Sequence, residues 1–214
     1  SFDILGYLAA EEIAIEVRTV RPGRTIELVE ATAHIAGRAA VSARAWFLDA
    51  GDTSAVAGGA PDPLPAPDDL ESWPMAENWG GGYVASLDVR PVHPPQPGRT
   101  TAWLRSDVAL VAGETVSDAA AFLALVDTAN GIAVREKPVE WLFPNVDLTV
   151  HLHRAPRGRW VGLDTTVVFG PTGVGLTDSV LHDGSGPVGR AEQILTVRPT
   201  PHRDGEGGGA DATG

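Results

Sequence analysis

The sequence predicts an α+β protein in which antiparallel strands pack on a helix. Three observations carry this: apolar and polar residues alternate in several runs of strand length, one mid-chain stretch has capped helical spacing, and the two ends share a repeated pattern.

The elements follow in chain order. Over 13–20 the apolar Ile13, Ile15 and Val17 alternate with Glu12, Glu16 and Arg18, Arg21-Pro22-Gly23-Arg24 supplies turn chemistry, and Ile26 and Leu28 resume the alternation. This predicts a half-buried antiparallel hairpin. A strand over 39–48 follows, ending in Trp46-Phe47-Leu48. Nine of the 17 prolines lie between Asp49 and Gly98, and proline removes donors and fixes φ, so 49–79 is expected to be a linker. Strands are predicted from Tyr83 to Val89 and from Thr101 to Leu110. Ser117 then suits an N-cap, Asp118 favours the positive end of a helix dipole, and Asn130-Gly131 suits a left-handed C-cap. Between them Phe122, Leu125, Val126 and Ala129 form one stripe, which predicts a single helix of roughly 13 residues lying on a sheet. Four further strands are read at 148–154, 160–169, 174–182 and 189–197. The Gly-rich end, 201–214, is expected to be a disordered tail. The repeat sets Ile15–Arg24 against Val150–Arg159, and each copy later carries Arg-Ala, at Arg44-Ala45 and Arg190-Ala191. The chain is thus expected to divide into a first unit over 1–48, the linker, a second unit over 80–200 and the tail.

Composition narrows the function. Over 214 residues, 28 acidic against 16 basic side chains leave a formal charge of −12, which would repel a phosphate backbone and argues against nucleic-acid binding. Cysteine is absent, so disulfides, zinc ribbons and a thiol nucleophile are excluded. No apolar run reaches the roughly 18 residues of a membrane-spanning helix, and Ser1-Phe2-Asp3 does not begin a secretory leader, so the expected compartment is the cytoplasm. No G-x-S-x-G, P-loop, H-E-x-x-H or strand-to-helix G-x-G-x-x-G motif occurs, which removes the α/β-hydrolase and nucleotide-binding readings.

The stretches Leu125-Val126-Asp127-Thr128-Ala129-Asn130-Gly131, Asn145-Val146-Asp147-Leu148-Thr149-Val150-His151-Leu152-His153-Arg154 and Gly189-Arg190-Ala191-Glu192-Gln193 resemble the double hot-dog acyl-CoA thioesterases, most nearly the thioesterase II type and the thioesterase-like proteins of actinobacteria. The resemblance covers about 1–200. It implies two curved antiparallel sheets, each wrapped around a helix, and hydrolysis of an acyl-CoA thioester to free acid and coenzyme A with no cofactor and no metal. Relatives carry a Gly-rich segment and a helix ahead of the part that begins at Ser1. The first helix is therefore expected to be missing from this sequence or supplied by another chain.

The resemblance also implies a water held and activated by an Asp, a Thr or Ser, and a Gln. Asp147 falls on the Asp and Gln193 on the Gln. No hydroxyl falls cleanly: Val168 occupies that place, with Thr165 and Thr166 two or three residues away and Thr172 in the next turn, and Thr166 is taken as the stand-in.

Read from the residues alone, Asp147 at a strand entrance is a candidate general base and equally a turn aspartate. Gln193 interrupts an apolar strand and is either buried and hydrogen-bonded or on the exposed face. Asp127, on the helix, is a rival base, a partner that orients Asp147, or a solvated side chain. Arg154, Arg157 and Arg159 form a basic cluster suited to the phosphates of coenzyme A, or a solvated turn. His151 and His153 share a strand face without an evident third metal ligand.

The expected partner is an acyl-CoA, with self-association into a homo-oligomer. The alternatives are a hot-dog protein that binds acyl-CoA or another apolar ligand without turnover and, more distantly, a hydratase or dehydratase using His151 or His153.

Overall fold

The computed structural model describes residues 1–77 and 79–201; the expected tail lies outside them apart from Pro201. Twelve strands form: β1 (Phe2–Ile4), β2 (Ile13–Arg21), β3 (Ile26–Ile35), β4 (Arg38–Leu48), β5 (Leu87–Pro91), β6 (Arg99–Ser106), β7 (Trp141–Leu142), β8 (Asp147–Leu152), β9 (Val161–Phe169), β10 (Val174–Asp183), β11 (Gly186–Thr196) and β12 (Arg198–Pro199). Among the described residues three α-helices accompany them, α1 (Gly82–Ala85), α2 (Asp118–Val126) and α3 (Ala129–Ile132), besides three single 3-10 turns. Among the described residues no helix is long and apolar enough to cross a membrane.

Ten strands make one sheet in the order β2-β3-β4-β1-β8-β11-β10-β9-β6-β5, and β7 pairs with β12 separately. The order contains a repeat, because β2-β3-β4-β1 and β9-β10-β11-β8 follow the same sequence of neighbours. The two copies join where β1 pairs antiparallel with β8, through Phe2 opposite Leu148 and Asp3 opposite Asp147. The repeat read from sequence is thereby corrected in register. Ile15 lies on β2 and Val150 on β8, which are not equivalent; Arg44-Ala45 and Arg190-Ala191 do fall on the equivalent strands β4 and β11.

In the second copy the strand period of two puts Val161, Leu163 and Val167 of β9 and Ala191 and Leu195 of β11 on one buried face, and a bulge in β11 opposite Leu181 and His182 buries Val188 as well. Phe122, Leu125, Val126, Ala129 and Ile132 of α2 and α3 complete this core. Gly162 is held to glycine by close approach, since a Cβ there would stand 2.9 Å from both the Trp103 ring and His182 Cβ.

The first copy lacks such a cover. Ile15 and Val17 of β2 are 67% and 65% exposed, and among the described residues no helix packs on them. The half-buried hairpin of the sequence reading is therefore a hairpin whose β2 strand is exposed throughout.

Three local expectations are also corrected. The helix stops at Val126 and restarts as α3, because the Thr128 N–H turns back to the Leu125 carbonyl at 3.2 Å and tightens the chain. Asn130 and Gly131 consequently lie inside α3 instead of capping a helix. Tyr83 is in the short helix α1, where Gly81 at φ 118° starts a turn that Ser86 closes on the Gly82 carbonyl, so the strand begins at Leu87. The stretch expected to be a linker is packed in its second half: Met75 is buried, Trp73 packs on the core, and the Pro65 carbonyl accepts from Trp103 Nε1 at 2.8 Å.

Candidate active site

Ser117 caps α2 as expected, its Oγ accepting from the Ala120 N–H at 3.2 Å. The stripe then fixes the helix on the sheet, and the first residue past α2 is Asp127. A carboxylate there faces the negative end of the helix dipole, so it gains from donors placed around it. Two amides supply them. Asn145 Nδ2 and Gln193 Nε2 both donate to Asp127 Oδ1, at 2.8 and 2.9 Å, and Gln193 Nε2 also meets the Asp127 carbonyl at 3.3 Å. Among the described residues Asp127 Oδ2 has no hydrogen-bond partner.

Both amides are placed by backbone structure. Gln193 points inward from β11 and is 1% exposed. Asn145 precedes β8 in a segment stitched to β11, with Val146 N–H donating to the Ile194 carbonyl at 3.0 Å and Thr196 N–H to the Pro144 carbonyl at 2.9 Å. Its Nδ2 also reaches the Asp147 carbonyl at 3.1 Å.

Asp127 lies on the wall of an apolar cavity of about 390 Å³ whose other lining includes Trp79, Tyr83, Trp141 and Phe143. Trp79 packs edge-on to Phe143 and donates from Nε1 to the Gly131 carbonyl at 2.9 Å. Tyr83 Oη lies 2.6 Å from Thr128 Oγ1. Burial pushes the Tyr83 phenol above its ordinary range, the Thr128 hydroxyl opposes this, and the charge of Asp127 adds to it, so Tyr83 is a neutral wall.

The structure thus brings together Asp127 and Gln193 and separates the other candidates. The Asp147 carboxylate accepts from the Ile194 N–H at 2.6 Å and secures the start of β8 on β11. Thr166 is on the exposed face of β9, because its neighbours Thr165 and Val167 take the inward positions. Thr165 is buried but paired with Ser179 Oγ at 2.8 Å.

Arg154 is held by Asp183 in a two-pronged ion pair of 2.6 and 2.7 Å and by the Pro187 and Gly186 carbonyls. Burial alone would raise the Asp183 carboxyl, but the Arg154 guanidinium and the N–H groups of Ser185 and Arg157 outweigh it and hold the group below the usual carboxylate range. Arg157 and Arg159 are exposed, and Arg159 pairs with the exposed Asp107 at 3.2 Å. His151 and His153 are exposed as well. Among the described residues no group of three or more His, Cys, Asp or Glu is placed to hold a metal.

Sequence reading missed Asn145, Trp79 and Tyr83. Asn145 stands inside a quoted motif, two residues before Asp147, but nothing local shows that it turns toward the helix end.

The family model for the acyl-CoA thioesterase C-terminal domain matches residues 67–197, and that for the N-terminal domain matches 1–48. Among solved structures, the chain is similar to a hot-dog-fold protein from Alicyclobacillus acidocaldarius at 17% identity and TM-score 0.71, over 94% of this chain and 77% of that one. A Thermobifida fusca protein named as a thioesterase II matches at 20% identity and TM-score 0.69, over 92% and 76%. The acyl-CoA thioesterase II of Mycobacterium marinum matches at 18% and 0.67, over 95% and 81%. These likenesses support the hot-dog fold. No curated protein sequence matches the chain.

Proposed function

Because the chain belongs to the acyl-CoA thioesterase family, we propose that it hydrolyses an acyl-CoA thioester with Asp127 as the general base. The observation that carries this reading is the arrangement of Asp127: Oδ1 is fixed by Asn145 and Gln193, Oδ2 has no hydrogen-bond partner among the described residues, and the residue lies on the wall of an apolar cavity.

The chemistry needs no cofactor. A water on Oδ2 gives its proton to Asp127 as its oxygen attacks the thioester carbonyl carbon. Collapse of the tetrahedral intermediate breaks the carbon–sulfur bond, and the proton returns from Asp127 to the departing thiolate, leaving a carboxylic acid and coenzyme A. The amides hold the carboxylate still, which contributes by orientation. The acyl group occupies the cavity walled by Trp79, Trp141 and Phe143. Arg157 and Arg159 remain candidates for the phosphates of coenzyme A, while Arg154 is committed to Asp183.

One observation favours a second reading, binding without turnover. The resemblance implies a hydroxyl beside the carboxylate, yet Asp127 meets two amides, and Thr165 and Thr166 are engaged or placed elsewhere.

Thiol release from short, medium and long acyl-CoAs by wild type, Asp127→Asn and Asp147→Ala separates the readings. Hydrolysis is expected in wild type and Asp147→Ala and is lost in Asp127→Asn. Acyl-CoA binding with no thiol release in wild type would establish the second reading.

A further inference from the structure

The inner face of β9, β10 and β11 carries a polar row within an apolar core: Thr165, Ser179, Thr177 and Gln193 are each at most 1% exposed. Thr165 and Ser179 satisfy each other. Thr177 and Gln193 are opposite one another in the β10–β11 ladder, and both Thr177 Oγ1 and Gln193 Oε1 are buried with no hydrogen-bond partner in the protein. Leaving such an atom unsatisfied is destabilising, and buried polar groups are nearly always paired, often by an ordered water. Directly opposed side chains have Cβ atoms roughly 4.5–5.5 Å apart, a span that one water bridges.

We infer that a single buried water links Thr177 Oγ1 to Gln193 Oε1, and that Thr177 is a positioning residue that, together with the Asp127 acceptors, holds the Nε2 end of the Gln193 amide toward Asp127. With Oε1 accepting from that water, Nε2 is the end left for the helix. It meets two acceptors there, Asp127 Oδ1 and the Asp127 carbonyl. A flipped amide would set Oε1 against both oxygens and turn its N–H groups toward Thr177. The water and hydroxyl can satisfy either end, so they hold the productive orientation only together with those two acceptors. Thr177→Val keeps the shape of the side chain but removes the hydroxyl. The water then loses a partner, and Oε1 loses the donor that keeps it facing β10.

The catalytic consequence rests on the proposed role of Asp127; the water site does not. The test is a crystal structure resolving ordered water, together with kcat and KM for wild type, Thr177→Val and Thr177→Ser. The expected structure has a water within hydrogen-bond distance of both atoms in wild type and Thr177→Ser and none in Thr177→Val. The expected kinetics are a fall in kcat of about threefold to tenfold for Thr177→Val at unchanged KM, the worth of one hydrogen bond, and recovery to within about twofold for Thr177→Ser. No water at that place in wild type overturns the inference, as does Thr177→Val retaining full kcat. If wild type hydrolyses no thioester, the proposed function fails and the position of the water alone decides this inference.

Discussion

Gln193 Nε2 lies 2.9 Å from Asp127 Oδ1, so the middle of β11 and the end of α2, 66 residues apart in sequence, meet at one carboxylate oxygen. The donor here serves a charged group, and hydrogen bonds of that kind are worth about 1.5–3 kcal/mol. Gln193→Glu replaces the donor with an acceptor of like charge. The expected result is a loss in kcat of roughly tenfold to a hundredfold with little change in KM, read by thiol release under saturating acyl-CoA. Wild-type kcat in a folded Gln193→Glu protein would remove Gln193 from the machinery.

Asn145 gives the second donor, at 2.8 Å. Asn145→Ala leaves Asp127 Oδ1 with Gln193 alone and is expected to lower kcat by about tenfold. A hydroxyl is also a donor of short reach, so Asn145→Thr is expected to retain more activity than Asn145→Ala. Equal kcat for the two variants would show that the position needs the amide specifically.

Most strands and the N-cap at Ser117 were legible in sequence because each rests on local information, a period of two and a hydroxyl three residues before the N–H that donates to it, whereas the hot-dog architecture was legible only through the resemblance of several motifs to a family. The site was legible only in part. Gln193 was visible as a polar residue in an apolar strand, and Asp127 as a carboxylate on the helix. The choice between Asp127 and Asp147 was not, because both sit in short motifs and differ only in which strand or helix end their side chains meet across the fold. Asp147 takes the backbone N–H of Ile194, and Asp127 takes the side-chain amides. Arg154 shows the same limit: a basic cluster in sequence says nothing of a buried carboxylate 29 residues away.

Arg154 is accordingly expected to act through stability. Its removal leaves Asp183, whose side chain is fully buried, without its cation, although the N–H groups of Arg157 and Ser185 remain. Taking one partner from a buried pair costs about 3 kcal/mol or more. Arg154→Ala should therefore lower the denaturation midpoint in urea markedly, with KM for acyl-CoA unchanged in protein that stays folded. A raised KM at unchanged stability would instead return Arg154 to the binding of coenzyme A.

The same corner of the fold sets a pH dependence. Burial lowers the pKa of His182 below its ordinary 6.5; Asp164 and Asp183 oppose this and Arg154 reinforces it. Between the folded and unfolded values the unfolded state binds the extra proton, so the contribution of His182 is fully present above about pH 6.5 and is lost as the pH falls through the folded value. Asp183 is also lowered, from 3.8, so its contribution persists to more acidic pH and is lost only as the pH falls through a value below that. Stability should thus decline in two stages on acidification, the first belonging to His182 and the second to Asp183. His182→Gln removes the first stage alone. Chemical denaturation of both proteins at about pH 8 and about pH 5 should show wild type losing more stability than the variant between the two conditions. Parallel losses would assign the first stage to other histidines and leave His182 without a part in it.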